Sequence, residues 1–218
     1  MKYTIVGDIH GKVEVVEHAL SMEGQVIFVG DFMDSSNRSP EDHRKCLRLV
    51  LDAITAGKAR AIYGNHELSY LISRHRCSGF QRMHSAIMVD MQDEIAERFE
   101  SHILLAPDFL VTHAGLTNQI WEQFKLSREI LDAQLCEWWK DHESPMHWIG
   151  QSRGGYEPVG GTFWCDFNAE FQPVPGLKQV FGHTRRGGKN GIRRIEDSYC
   201  IDCLDSPQHA HTFMEAEL

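Results

Sequence analysis

The chain has 218 residues, a length that suits one α/β domain, and its 42% apolar and 24% charged residues are enough to bury a substantial core. Its 31 acidic against 22 basic side chains leave a net charge of −9, which disfavours duplex nucleic acid as a partner, and no apolar run is long enough to span a membrane. Met1–Val6 is too short, and too soon followed by Asp8, to read as a signal peptide. Six cysteines without framework spacing point to a reduced, cytoplasmic setting. Thirteen histidines are the unusual count, and ligands have to be separated from surface residues among them.

Lys2–Val6 reads as a first strand running into Gly7-Asp8-Ile9-His10-Gly11. Residues two apart on extended chain face the same side, so Asp8 and His10 can share one ion. A helix is expected over residues 12–20 with Val13, Val16 and Leu20 on its buried stripe. The run Val26–Val29 has the β-branched content of a buried strand and ends at Gly30-Asp31-Phe32-Met33-Asp34, where the glycine permits a sharp turn and Asp31 projects beyond the sheet edge. Ser39, Pro40 and the acids after them form a helix start, and Leu47, Val50, Leu51 and Ile54 keep helical period until Gly57. A third strand over residues 59–63 leads to Gly64-Asn65-His66-Glu67.

Residues 67–99 read as helical, broken near Cys77-Ser78-Gly79. Two strands about Pro107-Asp108 deliver His113-Ala114-Gly115, and two helices follow, the second capped by Ser127. Residues 142–161 lack period and suit an active-site loop or lid. A strand over 179–181 ends in Gly182-His183-Thr184, and the tail from Gly191 alternates like antiparallel strands about Asp197-Ser198. Residues 1–218 are therefore expected to form one α/β domain with its ligands at the carboxyl ends of the strands.

In their order, Gly7-Asp8-Ile9-His10-Gly11, Gly30-Asp31-Phe32-Met33-Asp34, Gly64-Asn65-His66-Glu67, His113-Ala114-Gly115 and Gly182-His183-Thr184 resemble the calcineurin-like metallophosphoesterases. The resemblance implies the metallo-dependent phosphatase fold, with two mixed β-sheets flanked by helices in α/β/β/α layers. It also implies a dinuclear centre, with Asp8 and His10 on one ion, Asn65, His113 and His183 on the other, and Asp31 bridging. Mixed carboxylate, amide and imidazole donors suit two divalent ions, Mn first, with Fe or Zn as alternatives. Ions about 3.5–4 Å apart can hold a bridging hydroxide in line with phosphorus. His66 would then protonate the leaving oxygen as general acid, supported by Asp34.

The sequence departs from the protein-phosphatase pattern at Ser35, where relatives usually carry an arginine. Arg38 is near enough to replace it or is an ordinary loop residue, and Arg153 resembles a second phosphate-binding arginine, whose planar fork suits a phosphate. The expected substrate is a phosphorylated small molecule, nucleotide or phosphopeptide, most simply a phosphomonoester such as phosphoserine or phosphothreonine. A dinucleoside tetraphosphate hydrolase, a phosphodiesterase and a non-catalytic metal-binding scaffold are the alternatives. Cys200 and Cys203 read as buried thiols, and the five tryptophans as core and loop packing. His18, His43, His75, His84, His102, His142, His147, His209 and His211 read as surface or fold residues.

Overall fold

The computed structural model describes residues 1–72, 75–185, 191–204 and 213–217; His209 and His211 lie outside them. The chain divides into two compact units, one of residues Met1–Glu100 with Cys203–Leu218 and one of residues Ser101–Asp202.

In the first unit, β1 (Lys2–Val6), β2 (Gln25–Phe28) and β3 (Ala59–Ala61) alternate with α1 (Val13–Ser21), α2 (Pro40–Thr55), α3 (Asn65–Leu71) and α4 (Ser85–Arg98), and β9 (Met214–Glu217) completes the sheet. The strand order is β3-β2-β1-β9, with β1, β2 and β3 parallel and β9 antiparallel to β1. Val6 pairs with Phe28, and Phe28 with Ala61, so the three parallel strands stop at one edge. The loops bearing Asp8, Asp31 and Asn65 therefore leave the sheet side by side. Ile5, Val6 and Val26–Val29 are fully buried, as befits parallel strands covered on both faces.

The helix starts follow local chemistry. Ser39 caps α2 in a capping box with Asp42, and Pro40 fills the first helical position, where its missing N–H costs nothing. On α1 the buried residues are Val15, Val16 and Ala19, not Val13 and Leu20. Apolar residues flank both sides of that helix, so packing rather than period chose its rotation. β3 stops at Ala61, and Ile62 makes a single bridge to Glu100 instead.

The second unit holds β4 (Ile103–Ala106), β5 (Phe109–Val111), β6 (Lys178–Phe181), β7 (Arg193–Ile195) and β8 (Ser198–Cys200) in the order β4-β5-β6-β8-β7. The β5, β6 and β8 strands are parallel, while the β4 and β7 edges run antiparallel to their neighbours. Both sheets are thus mixed, as expected. Two helices, α5 (Asn118–Gln123) and α6 (Leu131–Lys140), join the halves of this sheet. Ser127 does not cap α6. The residue at the helix start is Ile130, and Ser127 sits in the preceding turn, where its carbonyl accepts from the Ile130 amide.

Residues 142–161 are irregular but far from loose. They contain two short 3₁₀ turns, Pro145–His147 and Gln151–Arg153, and a bridge from Gly150 to Glu157. Behind β6, Ala114, Cys165, Phe167, Phe171, Phe181 and Cys200 form a buried cluster, with the Phe171 and Phe181 ring centres 4.8 Å apart. Phe181 is fully buried two residues before His183, so it anchors the strand end that presents this histidine. Phe181→Ala is expected to cost about 3–5 kcal/mol of unfolding free energy, read from the midpoint of urea denaturation.

Candidate metal centre

The loops at the sheet edge of the first unit are strained where function was expected. His10, Asp31 and Asp34 have left-handed φ of 45°, 53° and 61°, and His183 in the second unit has 66°. Few non-glycine residues sit there, and such backbone persists only where the surroundings over-determine it. The surroundings here are hydrogen bonds. The amides of Ile9 and His10 both donate to the Asp31 carbonyl, at 3.0 and 2.7 Å, and Gly11 donates to Phe32. The Asp31 side chain, 2% exposed, accepts from the His66 amide at 3.0 Å.

Glu67 binds this assembly together, a role the sequence reading did not assign. Its fully buried carboxylate accepts from four amides: Gly64 and Asp31 at 2.9 Å, Phe32 at 2.8 Å and Met33 at 3.0 Å. Burial and the neighbouring Asp31 charge push its carboxyl up to about 7, and the donated amides oppose that shift. Two glycines permit the approach. A Cβ on Gly64 would lie 2.1 Å from Asp31 Oδ1, and one on Gly30 would lie 2.4 Å from the Gly64 nitrogen.

Asp8, 1% exposed, and Asn65, 3% exposed, lie beside this loop set at the ends of β1 and β3. His10 donates from Nδ1 to the Met33 carbonyl at 2.8 Å and turns Nε2 to within 3.8 Å of Asp31 Oδ2. Burial, aided by the charge of His66, lowers its imidazole to about 4, so it is neutral at ordinary pH with its lone pair on Nε2.

His66 follows Asn65 on α3. Its Nδ1 lies 2.9 Å from Asp34 Oδ2, and its Nε2 lies 3.9 Å from Asp31 Oδ2. Burial alone would lower this imidazole, but the Asp31 charge, the Asp34 hydrogen bond and Cys77, whose Sγ is 3.3 Å from Nδ1, outweigh it and hold it well above its usual range. Asp34 is itself fixed: Tyr70 donates a short hydrogen bond to Oδ1, joined by the Gln81 amide at 3.2 Å and His84 Nδ1 at 3.0 Å. Burial tends to raise its carboxyl, yet these bonds with His66, Tyr70 and His84 keep it below the ordinary carboxylate range. His84, expected to be a fold residue, is therefore a direct partner of Asp34. Arg38 grips Glu14 on α1 through both guanidinium nitrogens, and its stem packs near Gly11.

In the second unit, Val111 pairs with Val180, and the Gly182 amide donates to the His113 carbonyl at 2.7 Å, so β5 and β6 end together. His113 Nε2 and His183 Nδ1 lie 3.2 Å apart, and the Trp164 ring stands edge-on to His183. Arg153 pairs with Asp166 at 2.9 Å and donates to Thr184 Oγ1 at 3.0 Å, next in sequence to His183. Its loop is held by Glu170, whose carboxylate accepts from the amides of Ser152, Gly160 and Asp166. The sequence reading had no role for Glu170 either.

The sequence profile described as calcineurin-like phosphoesterase matches residues 1–186. The chain belongs to that family. A curated relative, named as a probable serine/threonine-protein phosphatase of Encephalitozoon cuniculi, is 24% identical over 94% of this chain. The chain spans 47% of that relative's length. Among solved structures, a cold-active protein-tyrosine phosphatase of a psychrophilic Shewanella species matches 99% of this chain and 75% of its own, with 17% identity and a TM-score of 0.60. That likeness is one of fold.

Calcineurin-like phosphoesterases use divalent metals, and the donors of this chain fit them. In the first unit, His10, Asp31 and His66 bring a possible ligand atom each within 4.8 Å of one another. His10 has its Nδ1 occupied by a carbonyl, the arrangement that orients a ligating imidazole and frees Nε2. In the second unit, two imidazole nitrogens 3.2 Å apart have the separation of neighbouring ligands on one ion, whose bonds to nitrogen are about 2 Å. Asp8, Asp31, Asp34 and Glu67 are all buried near one edge, a density of carboxylates that cations would offset. Gly64→Ala, which forces a methyl group onto Asp31, is expected to lower divalent-metal affinity at least about tenfold. Metal content after dialysis reads the change against wild type, with unchanged circular dichroism checking that the variant folds.

Proposed function

We propose that this calcineurin-like phosphoesterase hydrolyses phosphate monoesters, with Asp8, His10, Asp31, Asn65, His113 and His183 holding two divalent ions and residues 1–218 acting as one catalytic domain. Family membership and the buried, preorganised donors of each unit support this reading. The observation that carries it is the His66 side chain, anchored through Nδ1 to Asp34 and turned through Nε2 toward Asp31.

Bound divalent ions would supply positive charge for the phosphoryl oxygens and acidify a water near neutral pH. The chain's own residues do the rest. His66, protonated, delivers a proton from Nε2 to the leaving oxygen, while its Nδ1–H stays on Asp34. Tyr70, Gln81 and His84 keep the Asp34 carboxylate from rotating away, so the imidazolium is oriented before substrate arrives. Arg153 orients the phosphoryl group as a planar donor fork, steadied by Asp166 and Thr184. Residues 142–161 serve as the active-site loop that carries it. Arg38 can assist only by leaving Glu14, so Arg153 is the principal substrate residue.

Phosphoserine and phosphothreonine peptides or small phosphate esters are the proposed substrates; the Encephalitozoon relative's name supports the former. Mn²⁺ suits the mixed donor set. A reducing, cytoplasmic setting suits the six free cysteines, four of them buried.

The test is release of para-nitrophenol from its phosphate ester by Mn²⁺-loaded protein. Release should stop on chelation, and kcat of His66→Asn should fall about 10²–10⁴-fold with its metals retained. Near-normal kcat in a metal-loaded His66→Asn protein removes His66 from the mechanism. Among a phosphopeptide, diadenosine tetraphosphate and a cyclic nucleotide, the phosphopeptide should have the highest kcat/KM. Arg153→Ala should lower kcat/KM about tenfold to a hundredfold, the worth of a charge-assisted hydrogen bond of about 1.5–3 kcal/mol, at unchanged metal content.

A further inference from the structure

A second set of ligating side chains stands within the second unit, on residues the phosphoesterase reading does not use. His102 precedes β4, and Asp132 and Cys136 lie one turn apart on α6. Leu131, Leu135 and Trp138 bury the opposite flank of that helix, which fixes its rotation. The i, i+4 spacing then puts the carboxylate and the thiol on one face. A ligand atom from each of the three residues lies within 4.8 Å of the others. His102 Nε2 is 3.1 Å from Asp132 Oδ1, and the Ser101 hydroxyl is 2.9 Å from Nδ1. His102 is buried, while Asp132 and Cys136 are open to solvent.

We infer that His102, Asp132 and Cys136 form a binding site for a divalent transition metal of the zinc class. One imidazole nitrogen, one carboxylate oxygen and one thiolate sulfur are the donors such ions select; Mg²⁺ and Ca²⁺ would not engage the sulfur. Three protein ligands leave a fourth position, which the exposed face opens to water. A hydrogen bond tethering His102 to α6 accounts for Asp132 and Ser101, but it gives the thiol no part.

The protons balance. On binding, the Cys136 thiol gives its proton to solvent. The His102 proton is carried on Nδ1, which leaves the Nε2 lone pair for the ion. Ser101 tolerates this tautomer because its hydroxyl can accept as readily as donate, and it then holds the ring as a partner behind the ligand.

Co²⁺ titrated into Mn²⁺-loaded protein tests the site, because a thiolate ligand gives cobalt a charge-transfer band in the near ultraviolet that oxygen and nitrogen ligands do not. Wild type should develop this band to about one equivalent. The expected result is its loss in Cys136→Ser and its persistence in Cys77→Ser, the control for the other thiol that lies near possible ligands, Asp34 and His66. Asp132→Asn should weaken the cobalt affinity about tenfold or more. Absence of the band in wild type, its survival in Cys136→Ser, or its loss in Cys77→Ser alone would overturn the assignment. Cys136 is exposed on a helix surface, so the serine variant is expected to fold, and unchanged circular dichroism checks this.

Discussion

The carboxylate of Glu67 is the interaction on which the loops bearing Asp31 and Asn65 depend. Four backbone amides converge on it, from the loop after β2 and from the turn that starts α3. Those donors would otherwise be buried without partners, each at a cost of about 1–3 kcal/mol. With them satisfied, Asp31 can keep a left-handed backbone in the interior and offer its side chain at the sheet edge. The glycines at 30 and 64 are the steric counterpart of the same contact. A side chain at either would occupy the space through which the two loops touch.

The second unit uses the same physical device on a different loop. Glu170 collects three amides from the irregular stretch around Arg153, and Asp166, one of the residues so held, is the ion-pair partner of that arginine. Both acids are buried, both take charge-assisted hydrogen bonds from backbone, and both stabilise a loop with little regular structure of its own. An unpaired buried carboxylate would be costly, so each acid and its loop hold together or fail together. Loop precision in this protein therefore comes from side chain to backbone bonding rather than from helix or strand geometry.

The loops bearing Asp8, Asp31, Asn65, His113 and His183 were legible because each follows a short, largely apolar run and turns on small or polar residues. That pattern reflects local chemistry: strand burial on one side, a sharp exit on the other. The capping box of α2 was legible for the same reason, whereas Ser127 was misread because a serine before a helical period can equally sit in a turn. The rotation of α1 went astray where valines occupy neighbouring positions, since period cannot choose between two apolar faces. Beyond His66, the set around Asp34 was not legible. Tyr70, Gln81 and His84 lie 36 to 50 positions further along the chain, and nothing local in their sequence marks them as partners of a carboxylate.

Sequence alone determined the family, the order of strands and helices and the identity of the metal-competent side chains, because these follow from short-range pattern and residue chemistry. The tertiary structure decided which histidine nitrogen faces which carboxylate, how Asp34 is immobilised, that Glu67 and Glu170 hold the loops, and that His102 meets Asp132 and Cys136. Those outcomes depend on contacts between distant segments and on the orientation of individual side chains. Only the packed chain specifies them.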